Sequence, residues 1–519
     1  MTNDKETRYD RQLRLWASSG QSKLEDSHVC LINATPTGSE TLKNLILPGI
    51  GEYTIIDNKL VTSTDLSSNF FLKKPDLNCY LSCAISNNLN ELNQEVKGHA
   101  ITSSIEDILI NESESYWEKF NIVIISDYLP SLRKLIEILW SRQIPILIIN
   151  SIGYYGSLNI LTNEITVIET HDPSKLFDLR IDKPWPELQQ FADSFDLDKL
   201  NDAEHSHVPY IVIFIKALDK WKSLHNGQPP LTYADKKLFK SYIESMSRNI
   251  QLETNFMEAA NSYHRACQKT EIPDSINALF IKSKERGLAN DTPIFWIYIA
   301  ALENFVTKNN QQLPLAGSLP DMASDTKNYI NLQNIYRTKA LKDQKLFTEE
   351  VHGILESIGR NPTDIPNESI AVFCKNVQLL FVTIGSRKLV DTQLIEKLYQ
   401  ESDDSDEYNT LAIYFAILTF NIFVGQNGRN PTIEDLDSFI KIFGQNFSSR
   451  PISLSIANSF KEILAHNTRN YHNLCSLMGG VASQEVLKLT TSQYIPLDNL
   501  FVFDGIRSSS ERYKIGSLN

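Results

Sequence analysis

Residues 29–57, VCLINATPTGSETLKNLILPGIGEYTIID, constrain the fold more than any other stretch. An apolar run, Val29 to Ile32, enters a tight turn. A helix is predicted over Ser39 to Leu47, and a second apolar run, Tyr53 to Ile56, ends in Asp57. Strand, turn, helix, strand and a terminal carboxylate outline a dinucleotide-binding βαβ unit, in which the acid meets a ribose. The turn lacks the matching chemistry. The three positions of Gly-x-Gly-x-x-Gly hold Asn33, Thr35 and Gly38. Only the last glycine remains, the one that lets helix and strand pack closely. Thr35 puts a branched side chain where a backbone would approach phosphate, and Pro36 removes an amide N–H from the anion cradle. The reading is a Rossmann-type unit that keeps its geometry and has lost its nucleotide.

The rest of the first 170 residues supports a doubly wound α/β sheet. NIVIIS (121–126) and IPILIIN (144–150) are continuous apolar runs around a helix predicted at Ser131 to Arg142. Runs of that kind are parallel strands buried on both faces. Residues 151–168 alternate and read as antiparallel strands extending the sheet. A further helix is predicted over Cys79 to Leu92, with Phe70, Phe71 and Leu72 buried in the loop before it. Residues 8–24 read as a short basic helix whose Arg8, Arg11 and Arg14 form a solvated face. From His171 a proline-punctuated connector leads into a block with helical periodicity. Its segments are Tyr210 to Leu224, Lys236 to Ile250, Phe256 to Gln268, Ile294 to Lys308, Tyr329 to Leu355, Val377 to Tyr399 and Asn409 to Val424. From about residue 454 the α/β character returns. A helix at 473–491 carries the small residues Gly479, Gly480 and Ala482, and a strand is predicted at 499–505. The expected organisation is an α/β domain in two parts, 1–170 and 454–519, around a mostly helical insert, 171–453.

At 519 residues the chain exceeds one core. A formal charge of −13 argues against general nucleic-acid binding and against docking on anionic membrane. The start of the chain is charged and is no signal peptide, and the longest apolar runs are far short of a bilayer span. The expectation is a soluble intracellular protein. Six cysteines are scattered with no C-x-x-C pair, which excludes a disulfide framework or a four-cysteine zinc site. Cys79 and Cys83, one helical turn apart, read as packing. His205 and His207 read as part of a helix-leading loop, since no cysteine or carboxylate cluster completes a metal site. The acidic stretch Glu401 to Glu407 reads as a solvated loop.

Three stretches, YDRQLRLW (9–16), LKNLILPGIGEYTIID (42–57) and GGVASQEVLKL (479–489), resemble the adenylation fold of ubiquitin-like-protein activating enzymes, of the ThiF/MoeB type. Two longer segments are more specific. SHVPYIVIFIKALDKW (206–221) and LPLAGSLPDMASDTKNYINLQNIYRTKALKD (313–343) resemble the regulatory subunit of the activating enzyme for the neddylation modifier. In that family two adenylation folds pair, and only one binds ATP.

The resemblance allows the family's roles to be checked residue by residue. Active folds carry an Arg-Gln pair after the second strand, where this chain has Ser68 and Asn69, and a phosphate-contacting lysine where it has Leu81. Asp127 lies near the place of a magnesium-binding aspartate but out of register. Asp57 matches the ribose-binding acid and, without the cradle, is read as structural. The resemblance therefore implies no cofactor and no metal on this chain, with ATP and magnesium on a catalytic partner subunit. It also gives Arg11 a task. The arginine of Tyr-x-Arg-Gln reaches in trans to the partner's ATP phosphates, and a guanidinium fork suits phosphate oxygens. Cys267 and Cys374 lie in the helical block, which resembles half of a catalytic-cysteine domain, but both read as packing.

The implied function is a regulatory subunit without independent activity. Its heterodimer partner adenylates the C-terminal glycine of the neddylation-type modifier and forms a thioester on its own cysteine. The helical block would be one wall of the cleft holding the modifier, and the complex would engage a conjugating enzyme. The segment around Trp16 and the helix 475–489 are candidates for the subunit interface, and the expected location is cytoplasm and nucleus. Two related readings stand beside it: a regulatory subunit for the sumoylation modifier, which lacks so long an insert, and a homodimeric sulfur-carrier adenylating enzyme, which predicts an intact glycine turn. A dinucleotide-dependent oxidoreductase fails on Asn33 and Thr35.

Overall fold

The computed structural model describes residues 7–172, 177–404, 409–466 and 470–516. The chain divides into two compact units, residues 1–167 with 381–519, and residues 168–380.

The first unit is built on an eight-stranded sheet in the order β10-β9-β6-β5-β4-β1-β2-β3. The strands are β1 (His28–Ile32), β2 (Glu52–Ile56), β3 (Lys97–Ile101), β4 (Ile122–Ile125), β5 (Ile146–Ile152), β6 (Tyr155–Leu161), β9 (Leu500–Asp504) and β10 (Ser509–Tyr513). β1 to β5 are parallel in the 3-2-1-4-5 order of a doubly wound fold. From β5 onward the pairing is antiparallel. The continuous apolar runs are explained by burial on both faces. Val29 and Leu31 of β1 face one apolar cluster with Ile122 and Ile124, while Cys30 and Ile32 face another with Val123 and Ile125.

Several predicted elements differ. Residues 151–168 do not all extend the sheet: β7 (Glu164–Val167) leaves it and pairs with β8 (Phe381–Ile384) in a separate ribbon. The helix predicted over Val377 to Tyr399 is instead that β8 strand followed by a helix, Thr392–Asp404. Helix Asp274–Arg286 and β10 had no sequence signal strong enough to place them. Phe70, expected inside, is 77% exposed and rests against His472 with ring centroids 5.6 Å apart; Leu72 takes the buried position.

The boundary expected at residue 453 also differs. Helix Thr410–Asn427 shows no sustained polar face, as expected of a helix enclosed by protein over most of its length. It is long and apolar enough to cross a membrane, yet 61% of that window is buried within the protein. Leu411, Phe415 and Phe423 pack with Phe439 and Phe460 in a cluster that also takes in Leu500 and Val502 of β9. Residues 381–453 therefore fold with the sheet. Of the acidic stretch read as a loop, residues 401–404 instead end helix Thr392–Asp404, and residues 405–407 lie outside the described residues.

The second unit is helical. Helix Tyr210–Leu224 buries Ile211, Phe214 and Leu218 against Phe239, Phe256 and Tyr336. Its connector is fixed by a buried arginine. Arg180 Nη2 donates to Asp178 Oδ2 at 3.1 Å and to the Leu313 carbonyl at 2.5 Å. Asp343 Oδ2 accepts from the Leu315 amide at 3.2 Å, so the segment 313–343 is closed on itself by polar contacts.

Candidate functional site

The turn after β1 is held by the chain's own side chains. The following helix is Pro36–Ile46, starting earlier than the predicted Ser39, because Pro36 is tolerated at a first helical position and Thr35 caps it. Thr35 Oγ1 accepts from the Gly38 amide at 3.1 Å and donates to Ser126 Oγ at 2.9 Å; Ser126 Oγ in turn donates to the Asn33 carbonyl. The helix N-terminus, where a phosphate would be held, is thus occupied by the chain's own side chain. Asn33 takes the left-handed backbone (φ 65) that the first glycine of the fingerprint would otherwise supply. Gly38 has the packing role read from sequence: a Cβ there would lie 2.5 Å from Ser126 Oγ and 2.9 Å from Leu31 Cδ1.

Asp57 is buried. Its Oδ2 accepts from the Ala34 amide at 2.8 Å and its Oδ1 from the Lys59 amide at 2.9 Å. Burial pushes its carboxyl above the usual range, and these two amides pull it part of the way back. The side chain ties the β1 turn to the end of β2. Replacing Asp57 with alanine strands both amides, and the denaturation midpoint should fall by an amount equivalent to about 2 kcal/mol.

Beside the turn lies a cavity of about 210 Å³ lined by Thr35, Pro36, Ser126, Asp127 and Asn150 among others. Ligand pockets usually span roughly 300–1,000 Å³. Among its described lining residues there is no lysine or arginine, and the one charged group is the Asp127 carboxylate, paired with Lys59 Nζ at 3.3 Å. A triphosphate would meet hydroxyls and a negative charge. The positions matched to cationic groups are equally uncharged. Ser68 Oγ donates to the Thr64 carbonyl, Asn69 is buried and donates to Ser39 Oγ at 3.1 Å, and Leu81 belongs to the apolar core.

Arg11 sits on helix Asp10–Glu25, which is not continuous. Trp16 and Ala17 depart from helical backbone, Ala17 with φ 55. Trp16 folds back over Gly20, its Nε1 donates to Gln21 Oε1 at 3.1 Å, and its carbonyl accepts from Gln493 Nε2 at 3.0 Å. At the other end Tyr9 is buried and its hydroxyl donates to Glu95 Oε2 at 3.0 Å. The short helical stretch between these anchors carries Arg11 and Arg14, and Arg8 lies just before Tyr9. Arg8 lies over the Tyr9 ring and Arg14 pairs with Asp10 at 2.9 Å, whereas Arg11 is exposed and makes no hydrogen bond or ion pair with any described residue.

The remaining candidates make local contacts within the chain. His205 is buried against Glu253 and stacked on Phe256, while His207 is exposed and bonds the Ala203 carbonyl. No group of three potential metal-ligating His, Cys, Asp or Glu side chains occurs among the described residues. Burial pushes the Cys374 thiol up to about 12 and the Cys267 thiol up to about 11, so neither offers a thiolate at neutral pH. Cys79 lies outside the helix, which is Leu81–Asn90, and is exposed. Iodoacetamide should therefore label Cys79 first in the folded protein, and Cys30, Cys374 and Cys475 only on unfolding; peptide mapping by mass spectrometry reads the order.

The ThiF family profile matches residues 9–519. A NEDD8-activating enzyme E1 regulatory subunit from Xenopus laevis is 35% identical over 98% of this chain and 99% of its own length. The regulatory subunit AXR1 from Arabidopsis thaliana is 33% identical over 98% and 96%, and the regulatory subunit from Saccharomyces cerevisiae is 28% identical over 98% and 100%. Among solved structures, PaaA reaches a TM-score of only 0.28 at 15% identity over 30% of this chain and 51% of that one, too weak a likeness to bear on this chain. With a doubly wound sheet, a filled cradle and full-length similarity of this kind, the chain belongs to the ThiF family and, within it, to the NEDD8-activating enzyme E1 regulatory subunits.

Proposed function

We propose that this chain forms the non-catalytic half of a heterodimeric E1. In this reading a catalytic subunit binds ATP and magnesium, adenylates the C-terminal glycine of NEDD8 and carries the thioester. This chain binds neither cofactor and has no activity alone. The observation that supports the reading most is the Thr35 side chain capping the helix end that would hold phosphate.

Two surfaces fit the partnership. Arg11 is an unpaired guanidinium on an anchored turn, suited to reach the partner's bound phosphates. The first unit also exposes large apolar side chains, Leu15 at 53%, Phe70 at 77%, Leu477 at 40% and Ile495 at 41%, of the kind a subunit interface would cover. Helix His472–Thr491 contributes less to that interface than its sequence implied, since Cys475, Met478 and Val486 are buried within this chain. The helical unit supplies surface for the modifier, and the complex passes it to a conjugating enzyme.

Modifier-dependent ATP–pyrophosphate exchange tests the reading. The chain alone should show none, and the chain mixed with a catalytic subunit should show full exchange. Exchange by the chain alone would reject the proposal.

A further inference from the structure

A mostly apolar cavity of the sheet unit is unrelated to phosphate chemistry. It measures about 560 Å³ and lies where two apolar clusters fail to seal. Leu129, Ile136 and Ile148 come from one cluster, and Leu418, Ile422 and Val390, each left partly exposed, from the other. Its floor carries two buried carboxamides. Asn159, opposite Ile148 across the β5–β6 pair, is held by the Tyr414 hydroxyl at 2.9 Å, and Asn150 accepts from Asn421 Nδ2 at 3.1 Å.

The charges around the cavity are uneven. Glu137 is paired with Arg133 at 3.4 Å, and Asp127, shared with the smaller cavity, is paired with Lys59. Arg387 and Lys388, both exposed, have no side-chain hydrogen bond or ion pair with any described residue. The walls are apolar, the floor can hydrogen-bond, and the uncompensated charges are cationic. The volume falls within the usual range for small-molecule sites, roughly 300–1,000 Å³, and the few polar groups are placed as orienting groups usually are.

We propose that this cavity binds a small organic acid with an apolar body, its hydrocarbon or aryl part between helices Leu132–Ser141 and Thr410–Asn427 and its carboxylate at Arg387 and Lys388. The site is distinct in chemistry from the vestigial nucleotide cradle and does not depend on subunit pairing.

The test uses the full chain and an anilinonaphthalene sulfonate dye, an aromatic anion whose fluorescence rises in apolar sites. Saturable binding is expected, with displacement by decanoate at lower concentration than by decanol. Arg387→Ala combined with Lys388→Ala, both surface changes, should weaken decanoate about tenfold and leave decanol unchanged. Leu418→Trp, which fills the cavity, should abolish displaceable binding of all three, with a thermal midpoint at or above wild type. Binding indifferent to Leu418→Trp, or equal competition by decanoate and decanol in wild type, overturns the proposal.

Discussion

Replacing Arg11 with alanine should lower modifier-dependent exchange by the mixed enzyme by about tenfold to a hundredfold, the range expected for one charge-assisted hydrogen bond to phosphate. The thermal midpoint of the chain should not move, because Arg11 is exposed and bonded to no described residue. Arg11→Lys should recover only part of the rate, since an ammonium keeps the charge and loses the two-pronged geometry. Arg14→Ala serves as the control. Arg14 is held by Asp10 on the same turn, and its loss should leave exchange near wild type. If Arg11→Ala and Arg14→Ala behave alike, the turn is a surface and the composite-site role falls.

The second large effect is on stability and separates two adjacent glycines. Helix His472–Thr491 crosses helix Pro36–Ile46 closely enough that a Cβ at Gly479 would lie 2.7 Å from Glu40 Cβ and 3.0 Å from the Thr41 amide nitrogen. Gly479→Ala forces backbone and a buried carboxylate apart and should cost about 1–3 kcal/mol. Gly480 has nothing within 4 Å. There alanine adds helix propensity without a clash, and Gly480→Ala should raise stability by up to about 1 kcal/mol. Urea denaturation of the two variants checks the sign of each change. Equal destabilisation by both would mean that the helices do not meet at Gly479.

How far the sequence could be read follows from where its signals are local. The βαβ unit and the parallel strands were legible because burial on both faces writes unbroken apolar runs such as IVII at 122–125. The departure from the glycine fingerprint was legible in Thr35 and Pro36, and the structure adds that Thr35 Oγ1 takes the Gly38 amide. The partner of Thr35, Ser126, lies 91 residues away, and no local pattern announces it. The division between units failed for a related reason. A helix such as Thr410–Asn427 has no sustained polar face to say which core encloses it, so its sequence fitted the helical block as well as the sheet. The break at Trp16–Ala17 was hidden because it rests on Gly20 and on Gln493, far along the chain. Phe70 was misplaced because burial was inferred from hydrophobicity alone, and an aromatic left outside is more informative as a contact surface.

The proposal that this adenylation fold no longer holds nucleotide is tested most directly by binding of magnesium–ATP to the purified chain alone. A site loaded at about a hundred times its Kd would add about 2.7 kcal/mol of stability. The thermal midpoint should be the same with and without millimolar magnesium–ATP. A midpoint that rises with nucleotide concentration and saturates would contradict the account, because it would mean that ATP displaces the Thr35 cap and that the cradle is intact.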